Sequence, residues 1–424
     1  MAAPVVSSIS PNQGPPSGGT IVTLTGTGFT GTTTVKFGAN AAPSFTVVTS
    51  TQISALSPAG TGAVNVTVTN GDGTSTQAIT YTYVPTPSLS SVSPAQSAVA
   101  GGTVVTLTGT SMSGATAVRF GGTTAPSFTV NSATQVTAVT PARPAGASSV
   151  TVTTPGGTSN PLPFTYVVAP SVTGLSPAQG PAVGGTVVTL TGTNLTGTTA
   201  VRFDTTAAPS FTVNSATQIT AMTPVHAAGA ATVTVTTPGG TSNPDNPTAY
   251  FYYAAPPALT SITPSSGTTA GGTTVTLAGN ELLGATNVSF DTTAAPSFTV
   301  DSATQVTAVT PAHTAGAATV TVTTPGGTSN PGNYEYFNAP TLTALTPAQG
   351  PTYEGNAVTL TGTSLTTTTG VLFDSTPVSF TVDSPTQVTA LAPAGAAGTV
   401  TVTLTTTAGV SNGLTYTQVT GPAI

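Results

Sequence analysis

The chain of 424 residues has no cysteine and no tryptophan, and it sets four basic residues against ten acidic ones. Without cysteine there are no disulfides, no thiolate metal sites and no cysteine nucleophile. Lys36, Arg119, Arg143 and Arg202 are too few to track a phosphate backbone, so nucleic acid is excluded as a partner. Charged residues make up 3% of the chain, where about a quarter is usual, so solubility falls to Thr, Ser and Asn on exposed strand faces. No apolar run approaches the roughly 18 residues of a membrane span, and direct membrane insertion is not expected. Met1 to Val5 shows no basic start followed by an apolar stretch, so no signal peptide is visible. No amphipathic helical period appears either.

What is present is a repeat. Ser10-Pro11, Ser93-Pro94, Ser176-Pro177, Thr263-Pro264 and Thr346-Pro347 open five copies of one module, with prolines 83, 83, 87 and 83 residues apart. The expected domains are residues 1–84, 85–168, 169–254, 255–338 and 339–424, with almost nothing outside them. Gly 47 and Pro 37 approach the level of low-complexity chains, but 38% hydrophobic residues with so little charge argues against disorder.

In the third copy, Val and Thr alternate as a half-buried strand requires. Strands are expected at 171–176, 186–191, 200–203, 210–213, 217–220, 232–236 and 250–253. Gly184-Gly185 supplies positive φ, Gly192 marks a bend, and Leu195 plugs the sandwich end. Val201 and Phe203 should face inward and Arg202 outward. The V-x-F strand recurs at Val35/Phe37, Val118/Phe120, Val288/Phe290 and Val371/Phe373. Phe45, Phe128, Phe211, Phe298 and Phe380 form a second expected core series. Seven short strands per module imply an all-β chain of five tandem immunoglobulin-like β-sandwiches forming an elongated rod.

The S-x-x-P-x-x-G-P start at Ser8–Pro15, the G-G-T-x-V-T-L-T-G run at Gly18–Gly26 and the V-x-F strand resemble IPT/TIG domains. That resemblance implies an Ig-like fold with structural or adhesive roles. It is nearest to bacterial tandem arrays of the actinobacterial surface type, or to phage surface proteins. The basic DNA-contacting loops of the family's transcription-factor branch have no counterpart here.

Chemistry is sparse. His226 and His313 occupy equivalent positions in copies three and four, without an acidic neighbour in sequence, and are expected in exposed loops. Asp204, Asp291 and Asp374 follow the V-x-F strand and read as turn formers, as do Asp301, Asp383 and Asn70-Gly71-Asp72-Gly73. No catalytic residue, metal site or cofactor is expected, and the chain reads as a non-enzyme. Tyr250, Tyr252, Tyr334 and Tyr336 are the candidate aromatic surface for polysaccharide or self-contact.

The junctions Val84-Pro85-Thr86-Pro87, Val168-Ala169-Pro170, Ala255-Pro256-Pro257 and Asn338-Ala339-Pro340 are short and stiffened by proline. Five units of roughly 35–40 Å each would extend about 180–200 Å. Charge runs from 0 and +2 in the first two copies to −1, −4 and −3 in the rest. Arg119 and Arg143 at one end, with Glu281 and Glu354 at the other, are candidates for head-to-tail or lateral contacts between copies of the chain. The expected role is a surface spacer, stalk or fibre subunit acting through protein–protein contacts. The expected location is extracellular or on the cell surface, with cell-surface or virion proteins as alternative partners and a virion or phage tail as the alternative site.

Overall fold

The computed structural model describes residues 2–420, so residues 1 and 421–424 of the first and last expected domains lie outside it. Among the described residues every regular element is a strand, and no helix is long and apolar enough to cross a membrane. One two-sheet unit occurs five times in succession.

In the third unit the first sheet orders its strands Ser171–Ser176, Val187–Thr193, Gln218–Met222 and Phe211–Ser215. The second sheet runs Gln179–Pro181, Tyr250–Ala254, Gly229–Thr237, Ala200–Phe203 and Thr206–Ala207, with Gly240–Thr241 returning on Gly229–Thr237. All pairings are antiparallel except that of Gln179–Pro181 with Tyr250–Ala254.

Period-2 alternation builds the core. In Gly229–Thr237 the chain turns Ala231, Val233 and Val235 inward and Thr232, Thr234 and Thr236 toward solvent. They meet Val188, Leu190 and Ile219 from the facing sheet, with Phe203, Phe251 and Tyr253 between. Phe203 lies 5.7 Å from Phe251 in an edge-to-face contact. Truncating such a ring to alanine costs about 3–5 kcal/mol. Leu195 is buried at the sandwich end, as its position implied.

Three expectations need correction. Gly192 lies inside a strand rather than at a bend, because a Cβ there would sit 2.0 Å from the Ser171 carbonyl oxygen. The same close approach recurs at Gly26, Gly109, Gly279 and Gly362. Phe211 and its equivalents are half-buried, since each lies on an edge strand and covers the rim of the core. Finally, the strands of two or three residues at Gln179–Pro181, Thr206–Ala207 and Gly240–Thr241 are too short for alternation to announce them.

Each of the first three junctions is seated on the hairpin of the unit that follows. A Cβ at Gly156 would come 2.3 Å from the Pro85 carbonyl oxygen, at Gly239 2.1 Å from that of Val168, and at Gly326 1.8 Å from that of Ala255. Only glycine lets the linker lie this close. The fifth unit has buried Ala408 at the same place.

Candidate functional site

The last long strand of each unit carries two inward side chains two residues apart. They are Tyr81 and Tyr83, Phe164 and Tyr166, Phe251 and Tyr253, Tyr334 and Tyr336, then Tyr416 and Gln418. The phase of this strand sorts the expected aromatic surface. Tyr250 and Tyr252 point outward, 39% and 53% exposed, whereas Tyr334 and Tyr336 are each 1% exposed. Tyr334 and Tyr336 are therefore core residues and present no contact surface. Tyr253 pairs with Gly229 as Tyr336 pairs with Gly316, so the partner of Tyr252 in the fourth unit is Glu335. The signal was in the sequence: Tyr83, Tyr166, Tyr253 and Tyr336 all stand eleven residues before the next unit's opening proline.

The inner aromatic packs beneath a loop that begins with a proline. In the first unit the Tyr83 hydroxyl donates to the Pro58 carbonyl at 2.8 Å. In the fifth, the Gln418 amide donates to the Pro393 carbonyl at 2.8 Å. Two residues after that proline the five units carry Gly60, Arg143, His226, His313 and Gly395.

His226 is not in an exposed loop without an acidic partner. Its ring stacks on Tyr253 with centroids 4.7 Å apart, and its side chain is 19% exposed. Nε2 lies 3.1 Å from Asp204 Oδ2, and Nδ1 lies 2.8 Å from the Ala227 carbonyl oxygen. Asp204 sits at φ 50° in the turn after the V-x-F strand, where its Oδ1 accepts from the Thr232 N–H at 2.7 Å and the Thr232 hydroxyl at 2.8 Å. The fourth unit repeats this arrangement. His313 stacks on Tyr336 at 4.8 Å, reaches Asp291 at 3.1 Å, and has Nδ1 2.8 Å from the Thr314 carbonyl. Thr319 donates twice to Asp291 Oδ1.

Burial acts to raise the Asp204 carboxyl, but the Thr232 N–H and hydroxyl bonds and the nearby His226 together hold it below the usual range. Asp291 is held low by the Thr319 N–H and hydroxyl, against a smaller effect of burial and with help from His313. Burial pushes both Tyr253 and Tyr336 up to about 12. Both aspartates are turn formers, as expected and as their positive φ agrees, and each has a histidine as a second partner that the local sequence does not announce. Asp204 precedes His226 by 22 residues, and only aligning the five copies shows that histidine occurs where aspartate also occurs.

The second unit solves the same position differently. Arg143 donates to the Phe120 carbonyl at 2.7 Å, the Gly121 carbonyl at 2.8 Å and the Thr123 hydroxyl at 2.8 Å. Its guanidinium is therefore engaged within its own domain. Arg119 is exposed and donates to the Gly122 carbonyl at 3.0 Å. Glu281, at φ 56°, and Glu354 are both exposed. Asp301 braces its edge strand, accepting from the Thr307 hydroxyl at 2.7 Å, rather than closing a turn.

Chemically the histidine pairs are closed. Each imidazole nitrogen faces a carbonyl or a carboxylate, so neither is left to take a proton from a nucleophile. Among the described residues no three His, Cys, Asp or Glu side chains gather to hold a metal ion. Open grooves do occur at two junctions. One of about 410 Å³ lies between the second and third units against Gln96, Tyr166, Asn194 and Thr196. One of about 440 Å³ lies between the fourth and fifth against Gly316, Glu335, Tyr336, Phe337 and Thr366.

The family model of the IPT/TIG domain matches residues 4–83, 87–166, 170–251, 257–336 and 340–418. No curated protein sequence matches the chain. Among solved structures it is similar to the plexin A4 extracellular region at 16% identity and TM-score 0.33, covering 96% of this chain and 43% of that one. It is similar to invasin, a bacterial integrin-binding protein, at 15% identity and TM-score 0.30, covering 98% and 97%. It is also similar to the protein SGBP-B from a xyloglucan utilization locus of Bacteroides uniformis, at 20% identity and TM-score 0.21, covering 46% and 56%. The chain spans less than half the length of the plexin chain.

Proposed function

Since the chain belongs to the IPT/TIG domain family, we propose that it is a non-enzymatic structural or adhesive array displayed outside the cell, working through protein–protein contacts. The observation that carries this reading is the placement of its polar side chains. The histidines, their aspartates and Arg143 are all spent on bonds inside their own units. Glycine-seated junctions add to it, because they fix the spacing of successive units. The weakly charged start and acidic end favour contacts between copies of the chain, though so few charges are readily screened at physiological salt. Electron microscopy and light scattering of the purified chain, at low and physiological salt, test the proposal. Extended particles, assembling at low salt, support it; compact particles that stay monomeric over a wide concentration range overturn it.

One observation favours a second reading, in which the third unit contacts polysaccharide. Tyr250 and Tyr252 share the outer face of one strand, roughly 7 Å apart. They are flanked by Thr232 and Gln179 as cross-strand partners. The other units place Thr80 and Thr82, Pro163 and Thr165, Asn333 and Glu335, or Thr415 and Thr417 there. Adjacent rings with hydroxyl and amide neighbours suit the faces and edges of sugar rings. A glycan array probed with the wild type and with Tyr252→Ala decides it: retained binding in the variant removes Tyr252 from the contact.

A further inference from the structure

The position two residues after the loop proline is Gly60, Arg143, His226, His313 and Gly395 in successive units. Its partner at the end of the V-x-F strand is Gly38, Gly121, Asp204, Asp291 and Asp374. The first pair has no side chain, and there Asn40 joins turn to loop instead, donating to the Ala59 carbonyl at 2.9 Å. The second is joined by a permanent cation that needs only carbonyl and hydroxyl acceptors. The third and fourth are joined by an imidazole and a carboxylate. The fifth keeps the carboxylate, bonded to the Thr401 N–H at 2.7 Å, and loses the cation.

In both histidine pairs, each ring nitrogen faces a group that only accepts. Nδ1 meets a backbone carbonyl and Nε2 meets a carboxylate oxygen. A neutral imidazole has one N–H and satisfies one of these two acceptors; an imidazolium satisfies both. We propose that His226–Asp204 and His313–Asp291 are proton-dependent clasps, which pin the loop to the strand turn in the third and fourth units.

The groups around each ring keep their charge near neutrality. Asp204 and Tyr253 are the titratable groups that face His226, and Asp291 and Tyr336 those that face His313. Both aspartates stay ionised, and both phenols stay protonated. Imidazoles change charge between roughly pH 5 and 8. A doubly protonated ring bonds the carbonyl and the carboxylate together; with one N–H gone, only one of the two bonds remains. Ala315, Gly316 and Tyr336 also wall the groove toward the fifth unit, so the His313 clasp borders a junction.

Two measurements on the full chain test this, and the presence of only two histidines makes the first one clean. Nitrogen-15 chemical shifts of the imidazoles, followed from about pH 5 to 8.5, report how many ring nitrogens carry a proton. The clasp requires both nitrogens protonated in the folded chain at the acid end and one at the other. Hydrogen exchange then compares the loops 223–228 and 310–315 with the matching loops of the other three units as internal references. Relative protection in the third and fourth units should fall about fivefold from pH 6 to 8, the size of one hydrogen bond. In His226→Gln/His313→Gln that pH dependence should vanish. Rings that hold a single proton throughout overturn the proposal, as does an unchanged pH profile in the double variant.

Discussion

Ser97 and Phe164 together replace what a glycine and a tyrosine do in the first, fourth and fifth units. In those units Gly14, Gly267 and Gly350 face Tyr81, Tyr334 and Tyr416, and a Cβ on the glycine would fall 1.9–2.2 Å from the phenol oxygen. In the second unit the ring has no hydroxyl, and Ser97 fills the space. Its Oγ lies 2.9 Å from the Thr103 hydroxyl and 2.8 Å from that of Thr140. One hydroxyl is supplied to the same buried place from either strand.

This relationship predicts opposite outcomes for the same substitution in two units. Gly14→Ser drives a side chain into the Tyr81 hydroxyl and should destabilise the first unit by about 1–3 kcal/mol or more. Gly180→Ser faces Phe251, which has no hydroxyl, so it should be neutral or stabilising once Thr186 rotates to bond it. Phe164→Tyr alone should destabilise the second unit, and adding Ser97→Gly should restore it. Denaturant unfolding of these four chains and of Ser97→Gly alone checks the sign of each effect, and the coupling between Phe164→Tyr and Ser97→Gly is the decisive quantity.

The acid side of the pH profile is set by the aspartates. Asp204 and Asp291 are held below the ordinary carboxylate range in the folded chain. Their contribution is complete above the unfolded-state value of about 3.9 and is lost as the pH falls through the lower folded value. The third and fourth units should therefore loosen in strong acid. Asp204→Asn/Asp291→Asn should flatten that acid limb, as read by thermal unfolding at a series of acid pH values. A limb of unchanged steepness would assign it to other carboxylates.

Much of this architecture was legible because the sequence writes it five times. The V-x-F strand with Arg202 outward, the burial of Leu195 and the seven main strands of the third unit followed from alternation and punctuation by Gly and Pro. What escaped was set by long-range approach. No local pattern reveals that Gly192 faces the Ser171 carbonyl, or that Asp204 turns back to meet His226. Tyr250 and Tyr252 face outward as expected; Tyr334 and Tyr336, grouped with them by the same Tyr-x-Tyr spelling, do not. Four aromatics in a row at 250–253 carry no alternation of their own to hand on to the next unit, and the loop before them is longer than in the other units by the four residues that stretch the repeat from 83 to 87.

The junctions give the prediction that bears most directly on an array. Gly239 lies where the Val168 carbonyl oxygen would be 2.1 Å from any Cβ, and Gly156 and Gly326 are placed alike. A methyl group at Gly239 cannot be absorbed by a flexible side chain, since the obstacle is backbone. Gly239→Ala should therefore push the linker off the hairpin and free the second unit from the third, while leaving both cores intact. The fifth unit has buried Ala408 in the corresponding place, so at the fourth junction a methyl group stands where the others have glycine. It follows that Ala408→Gly should do the reverse there. Small-angle scattering of the two variants against the parent checks this: Gly239→Ala should broaden the distribution of overall dimensions and Ala408→Gly should narrow it. If neither variant changes the scattering while both melt like the parent, proline alone holds the junctions and the glycine seat is incidental.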